Sequence, residues 1–464
     1  MSTLNAPLAA TRNGAVEFAP EALELQDRTS RSRAGLFALG GLTLTVLVVC
    51  LCAAQTHLLL PEPVRLWVPA QLAGAFGSVG PGLGSGALIA VLALMFVAYV
   101  VAVRHASLLS ARAVVGTIIA LHALVLLAPP LVSSDVFSYQ AYARMFAQYG
   151  ANPYLHGPHA FALDPIYQFI ESKWVNMPSA YGPVFTALSA LLAPLSIAAG
   201  VLAYKGIAAV SSLVVIALTW QTARLRGLDP IRAVALVGLN PLLVVYGVGG
   251  GHNDLLMLAL VMAGVYFLLR HRDRAGGASI ALASAIKLTG GLLGPFALAS
   301  VSDPLTRRRR RELITGGILA AVATAALAFS MFGTGSLHLL STLRHAQAMG
   351  DWHSIPGFIS TRLGLGTIGH LTGILLGGVF VVVFAWLLRR VWRGELDWID
   401  GAAWATAAML VTASSLLPWY VAWLMPLAAL ASDRRIVRAS LALTGVVLGV
   451  TLLGYIPHIY GIGL

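Results

Sequence analysis

Ser133-Ser134-Asp135-Val136-Phe137-Ser138-Tyr139-Gln140-Ala141-Tyr142-Ala143-Arg144 opens a polar interruption that runs on through Gly150, Asn152-Pro153-Tyr154 and Tyr181-Gly182-Pro183. No other interruption between strongly apolar segments is as long. Ser133, Ser134 and Asp135 carry the short oxygen side chains that begin helices, and no Gly or Pro follows Asp135 until Gly150. Helical spacing places Val136, Tyr139, Ala143 and Phe146 on one face and Gln140, Arg144 and Gln148 on another. The pattern predicts a short amphipathic helix lying at a membrane surface, with a carboxylate at its start. Asp135 reads either as the cap of that helix or as a catalytic carboxylate held just above the bilayer. The two are compatible, because a capping position also fixes where the group points.

The surrounding chain sets this helix in a membrane. Its 464 residues are 58% hydrophobic and only 10% charged, with a mean hydropathy of +0.82, too apolar for a soluble enzyme. Lys and Arg outnumber Asp and Glu by 30 to 18, and they gather in short clusters between apolar segments. Such clusters report topology, so no nucleic-acid partner is expected. Cys50 and Cys52 sit two residues apart in one apolar segment and point away from each other on a helix, which predicts neither a disulfide nor a metal site. Residues 1–33 are polar and mixed in charge, without the pattern of a cleavable signal peptide, and are expected to form a disordered cytoplasmic tail. Residues 34–464 are expected to form one transmembrane domain, with residues 132–183 as its principal outer loop.

Taking the basic clusters as cytoplasmic, spans at 35–56, 86–103 and 113–131 put Asp135 outside. The stretch 184–199 is short and broken by Pro194, and Arg224, Arg226 and Arg232 follow the next apolar segment. The arithmetic closes if 184–199 is a juxtamembrane or half-inserted helix and 201–222 crosses inward. Segment 231–248 then leads outward through Asn240-Pro241 to Gly251-His252-Asn253-Asp254. Segment 277–304 lies between two basic clusters and is too short for two full spans. It predicts a hairpin of two short helices with Lys287-Leu288-Thr289-Gly290-Gly291 at its bend, and irregular backbone at that depth requires a protein-lined or water-lined cavity. The remaining spans bring the expectation to an all-α fold of about thirteen transmembrane helices.

This topology aims Asp135, His252, Asp254, the loop residues Asp351, Trp352 and His353, and Trp419 and Tyr420 at one region, with Lys287 approaching from below. A carboxylate can take the proton of an attacking hydroxyl, a cation can stabilise a leaving phosphate, and aromatic faces can stack on sugar rings. The set suits a sugar attached to an anionic lipid. Lys287 alternatively reads as a snorkelling residue, His252-Asn253-Asp254 as a cap of the next helix, and Trp419-Tyr420 as interfacial belt residues. The spacing of His252 and Asp254 is weak as a metal signature, and no metal site is expected.

Ser134-Asp135-Val136-Phe137-Ser138-Tyr139, Asn152-Pro153-Tyr154, Tyr181-Gly182-Pro183, Asn240-Pro241 with Gly251-His252-Asn253-Asp254, Ile286-Lys287 and Leu417-Pro418-Trp419-Tyr420 together resemble the polyprenol-phosphate-mannose-dependent α-(1→6)-mannosyltransferases of the GT-C class. The resemblance covers about residues 130–430, in family order. It implies a GT-C-like membrane enzyme with extracytoplasmic juxtamembrane helices and no cofactor. Its partners would be a polyprenyl phosphate mannose donor and a glycolipid or cell-envelope glycan acceptor, and transfer would occur with inversion at the outer face of the plasma membrane. By the same resemblance Asp135 is the general base. Position and chemistry make Lys287 and His252 the candidates for the donor phosphate, and Tyr139, Asp254, Trp419 and Tyr420 the candidates for sugar or acceptor contacts. Two rivals are another polyprenyl-linked sugar, such as glucose or arabinose, and a lipid-linked-sugar transporter, which would need a site reachable from both faces.

Overall fold

The computed structural model describes residues 20–66, 68–77, 79–348, 354–362 and 370–456. A bilayer core offers no water to the backbone, so the apolar segments close their hydrogen bonds internally as helices. Among the described residues there is no strand. Arg28–Gln55, Ser85–Leu108, Ile197–Leu225, Arg307–Ala346, Thr372–Trp392 and Arg434–Leu453 are each long and apolar enough to cross a membrane. Pro230–Gly238 and Leu242–Val248, bent by 49° at their junction, make a seventh such stretch if taken as one span. The protein is therefore a multi-pass membrane protein, with shorter apolar helices such as Ala111–Leu127 and the mostly buried Asp254–Leu269 between its long ones.

The bent pair shows how a broken helix is tolerated there. Pro241 has no N–H to give, and buried Asn240 makes good the lost bonds. Its side-chain oxygen accepts from Leu242 N at 2.9 Å and Leu243 N at 3.2 Å, while its amide donates to Tyr99 Oη at 3.3 Å and Thr444 Oγ1 at 3.2 Å.

The hairpin expected around Lys287 is present. Asp273–Ile286 ends at Lys287, whose backbone is extended, and the chain returns through Leu288–Leu292 and Leu293–Ala299. Its first helix meets Arg307–Phe332 backbone to backbone, because a Cβ on Gly277 would lie 2.0 Å from the Leu313 carbonyl oxygen and one on Gly316 1.9 Å from that of Arg274.

Contacts between basic clusters place them at one end of the molecule. Arg226 pairs with Asp397 at 3.2 Å and donates to Ser432 Oγ at 2.9 Å. Arg309 pairs with Asp273 at 2.9 Å, and Arg310 lies over the Trp392 ring at 5.6 Å. A rise of about 1.5 Å per residue along Asp273–Ile286 carries the chain roughly 20 Å from that end to Lys287.

Three features depart from the sequence expectations, and a fourth, the short helix within 184–199, agrees with them in being too short to cross. The first helix, Pro20–Cys52, starts inside the tail expected to be disordered, and residues 1–19 lie outside the described set. The stretch 184–199 is an eight-residue helix, Pro183–Ala190, and a turn, after which Ile197–Leu225 runs for 29 residues. The short helix is far below crossing length. Asp135–Ala147 is not an amphipathic surface helix: Val136 to Ala143 are all buried, covered by residues 150–183 on one side and by Ile197–Leu225 on the side of Gln140. The stretch after Phe332, read as a loop, forms helical turns at Gly333–His338, Leu339–Ala348 and Ile355–Arg362.

Backbone contact at Gly316 makes that position intolerant of a side chain. Gly316→Ala should destabilise the protein by about 1–3 kcal/mol through overpacking, whereas Gly373→Ala, with open space around its Cβ, should leave the thermal midpoint unchanged or slightly raised. Thermal unfolding of the two purified variants in detergent checks this.

Candidate active site

Three separate stretches of chain meet beneath the roof formed by residues 150–183. Asp135 is the first residue of its helix, which follows directly on Ser134. Ser134 makes no side-chain capping bond, and the Asp135 carboxylate does not cap the helix but points across to another segment. There His252 Nδ1 donates to Asp135 Oδ2 at 3.1 Å. Because an ionised carboxylate only accepts, this bond puts the imidazole proton on Nδ1. Tyr139 Oη, one helical turn beyond Asp135, donates weakly toward the same oxygen at 3.4 Å.

The turn that carries His252 is built to sit on this helix. Gly251 has φ +68, and a Cβ there would lie 2.5 Å from Val136 Cγ1, so the position needs glycine twice over. The side chains of His252-Asn253-Asp254 do not cap the helix Asp254–Leu269. Asn253 instead meets Tyr139, whose Oη accepts from Asn253 N at 3.3 Å. His252 is completely buried, with its ring stacked on Trp419 at a centroid separation of 3.6 Å. The loop–helix junction at Asp135 and the broken span at His252 are thus clamped together.

A second ion pair lies beside the first. Lys287 Nζ donates to Asp254 Oδ1 at 2.7 Å, and Trp423 Nε1 donates to the same oxygen at 2.8 Å. The ammonium lies 4.6 Å from the Tyr420 ring centroid and 5.2 Å from that of Trp423, and these two rings stack on each other at 4.2 Å. Gly182 fixes the loop to the bend by donating its N–H to Ile286 O at 3.0 Å, and a Cβ there would meet Ala285 O at 2.1 Å. The Tyr181-Gly182-Pro183 motif is therefore the place where the roof is fastened to the lysine hairpin.

Exposure separates the groups that can reach a ligand from those that hold them. The Asp135 side chain is 27% exposed and that of Lys287 21%, whereas their partners His252 and Asp254 are at 0% and 2%. Tyr139 and Trp419 are buried as well, at 1% and 6%. Tyr139, Asp254 and Trp419, expected at a sugar or acceptor, are buried here against Asp135, Lys287 and His252 respectively. His252, expected at a donor phosphate, likewise faces Asp135 and Trp419. Tyr420 is half-buried beneath Lys287. Asp351, Trp352 and His353 lie outside the described residues. Among the described residues no group of three or more His, Cys, Asp or Glu side chains could hold a metal ion.

The electrostatics favour an ionised Asp135. Burial pushes its carboxyl up, but the hydrogen bond and charge of His252 outweigh it, helped by Lys287 and Lys173, and hold the group below the usual carboxylate range. A folded-state value below the unfolded one contributes stability above the unfolded value of about 3.9 that is lost as pH falls through the folded value. At neutral pH the site therefore presents an ionised carboxylate.

Lys205 was not anticipated from the sequence. It is 1% exposed and donates to the carbonyls of Ala128 and Pro129, the latter at 2.9 Å. Those carbonyls end the helix Ala111–Leu127 and lead into Val132, a β-branched residue at φ +64, three residues before Asp135. Strain of this kind costs about 1–3 kcal/mol and persists only where the surroundings enforce it. Lys205 supplies part of that enforcement. The available signal was a lone lysine inside an apolar segment of spanning length.

The fold is that of a helical, multi-pass membrane protein, and its interior sets a carboxylate–histidine pair beside a lysine–carboxylate pair. The chain belongs to the alpha-(1->6)-mannopyranosyltransferase family, matching its N-terminal domain over residues 38–303 and the MptB C-terminal domain over residues 347–454. It is 29% identical over 370 residues to a probable alpha-(1->6)-mannopyranosyltransferase of Mycolicibacterium smegmatis, covering 69% of this chain and 66% of that protein. It is 29% identical over 387 residues to an alpha-(1->6)-mannopyranosyltransferase of Mycobacterium tuberculosis, covering 66% and 64% respectively. With alpha-(1->6)-mannopyranosyltransferase B of Corynebacterium glutamicum it shares 28% identity over 351 residues, 66% of this chain and 57% of that protein. The match thus spans less than two thirds of the length of each of these relatives.

Two outcomes check the site as built. His252→Ala removes the groups that hold Asp135 down and leaves burial to act, so an infrared titration of the carboxyl should move to higher pH than in the parent protein. Lys205→Met strands two buried carbonyls at about 1–3 kcal/mol each. It should lower the thermal midpoint and speed amide exchange at Leu131–Asp135, both read on the purified protein.

Proposed function

We propose that this protein transfers a mannosyl residue from a polyprenyl phosphate mannose donor to a glycolipid or cell-envelope glycan acceptor, forming an α-(1→6) linkage with inversion. The observation that carries this reading is the pairing of two part-exposed charges, Asp135 and Lys287, each fixed by a buried partner of opposite or hydrogen-bonding character. The acceptor hydroxyl gives its proton to Asp135 as its oxygen attacks the anomeric carbon. The bond from that carbon to the phosphate oxygen breaks, and the electron pair leaves with the polyprenyl phosphate, whose charge faces the Lys287 ammonium. Attack opposite the leaving group turns a β-linked donor into an α product.

Lys287 gives one N–H to Asp254 Oδ1, an oxygen that Trp423 Nε1 also holds in place, and the part-exposed side of the ammonium is left to face the leaving phosphate. His252 keeps Asp135 ionised and aimed. Tyr420 offers a half-buried aromatic edge to sugar. The scaffold in this reading is GT-C-like with about thirteen transmembrane helices in one domain over residues 34–464, following a cytoplasmic tail. Basic clusters at one end and the site at the other fit a cytoplasmic basic face and an outer-face active site in the plasma membrane, as the distribution of Lys and Arg around spans predicts.

The test is transfer of labelled mannose from polyprenyl phosphate mannose to a short mannoside by the purified protein. Asp135→Asn should lose about 1,000-fold or more in kcat, the scale of removing a general base together with its charge, while retaining donor binding. Lys287→Met should weaken donor binding and lower kcat together. Transfer from polyprenyl phosphate glucose or arabinose, with none from the mannose donor, would replace the sugar and keep the chemistry. Exchange of lipid-linked sugar across vesicles without transfer would replace the enzyme with a transporter.

A further inference from the structure

At the end of the hairpin opposite Lys287, a cavity of about 1060 Å³ opens between Asp273–Ile286 and Arg307–Phe332. Its floor is polar and already balanced within itself. Arg309 makes a forked contact with Asp273, through Nε at 3.0 Å and Nη2 at 2.9 Å, and Arg274 pairs with Glu312 at 2.8 Å. Arg272 and Arg308, which also line it, are exposed and make no ion pair among the described residues. The cavity therefore carries an excess of two positive charges that no side chain answers.

Its remaining wall is apolar. Ala278, Leu319 and Ala320 line it, Leu319 is 58% exposed, and Ile318 and Val322 beside it are 56% and 61% exposed. The same helix thus presents cations at its start and an unpartnered apolar stripe about two to four turns on. A headgroup with negative charge would fit the first, and acyl chains of the same molecule the second.

We propose that this cavity binds one anionic phospholipid, its phosphate between Arg272 and Arg308 and its chains along Leu319 and Ala320. The charge complementarity argues against a zwitterionic lipid, and the adjoining exposed apolar stripe argues against a free phosphate. The site is about 20 Å along the helix from Lys287. It is separate from the donor site and independent of the reaction proposed for it. A lipid bound here would bridge the two helices whose backbones touch at Gly277 and Gly316, and so stabilise the base of the hairpin that carries Lys287.

Native mass spectrometry of the full chain in detergent, titrated with phosphatidylglycerol, phosphatidylcholine or inorganic phosphate, tests the proposal. Phosphatidylglycerol should be retained at one copy, and the Arg272→Ala/Arg308→Ala protein should bind it about 30-fold more weakly. Arg272→Lys/Arg308→Lys should stay within about threefold of the parent, since both charges remain. Arg389→Ala/Arg434→Ala removes two cations outside the cavity and should bind as the parent does. Equal binding of phosphatidylcholine overturns the proposal, as does an equal loss in both alanine pairs, which would mark diffuse surface charge. Displacement of the lipid by millimolar inorganic phosphate, or retention of affinity in Arg272→Ala/Arg308→Ala, also overturns it. Thermal unfolding of each variant separates a lost site from a lost fold, and should the alanine pair unfold, Arg272→Gln alone gives the reading.

Discussion

The hydrogen bond from His252 to Asp135 joins segments 117 residues apart, and much of the upper half of the molecule is arranged so that it can form. A carboxylate in a low-dielectric setting stays ionised only if something compensates for lost water. His252 does this from a position with no solvent access, which in turn requires a turn tight enough to lie on Val136. Gly251 provides that turn, and Trp419 closes the other face of the imidazole. On the approach side, Lys205 and Val132 set the direction from which the chain enters the helix of Asp135. Each of these residues is legible only as part of the others' environment.

The second pair follows the same logic with the roles of charge reversed. Lys287 sits where a helix is broken, and a bare ammonium there would be expensive. Asp254 neutralises it from a buried position while two aromatic faces accept its remaining field. The lysine side chain keeps part of its surface open, so the pair can respond to a further anion. Gly182 binds the loop that roofs Asp135 to the backbone beside Lys287. The acid and the cation are thus mechanically connected through one backbone hydrogen bond as well as through space.

Apolar segment lengths, basic clusters and the polar interruptions made a large part of this visible in the sequence. The hairpin bend at Lys287 followed from a run too short for two spans between two clusters that had to share a side. The gathering of Asp135, His252, Asp254, Lys287, Trp419 and Tyr420 followed from counting crossings. Partnership was not legible. Nothing in the spacing of His252-Asn253-Asp254 tells which of them faces Asp135 and which faces Lys287, because that is decided by the phase of a broken helix against a loop far away in the chain. The burial of Asp135–Ala147 was hidden for a similar reason. Its Gln140 and Arg144 look like a solvated face, yet Gln140 lies against Gly200 and Arg144 pairs with Asp164 in the roof at 3.2 Å.

Lys205 and Lys287 together show why an intramembrane charge needs its surroundings before it can be assigned a task. Both interrupt apolar segments, and both are paired with oxygen. Lys205 is spent on two backbone carbonyls and has no surface left, so its charge acts only on the course of the chain toward Asp135. Lys287 gives one N–H to a carboxylate and keeps a fifth of its side chain open. The difference between a positioning lysine and one that can meet a ligand lies in the donors left over after the protein's own groups are satisfied. That residue of unspent hydrogen-bonding capacity, shared by Lys287 and Asp135, sets these two charges apart from the fully satisfied groups around them in an otherwise closed helical interior.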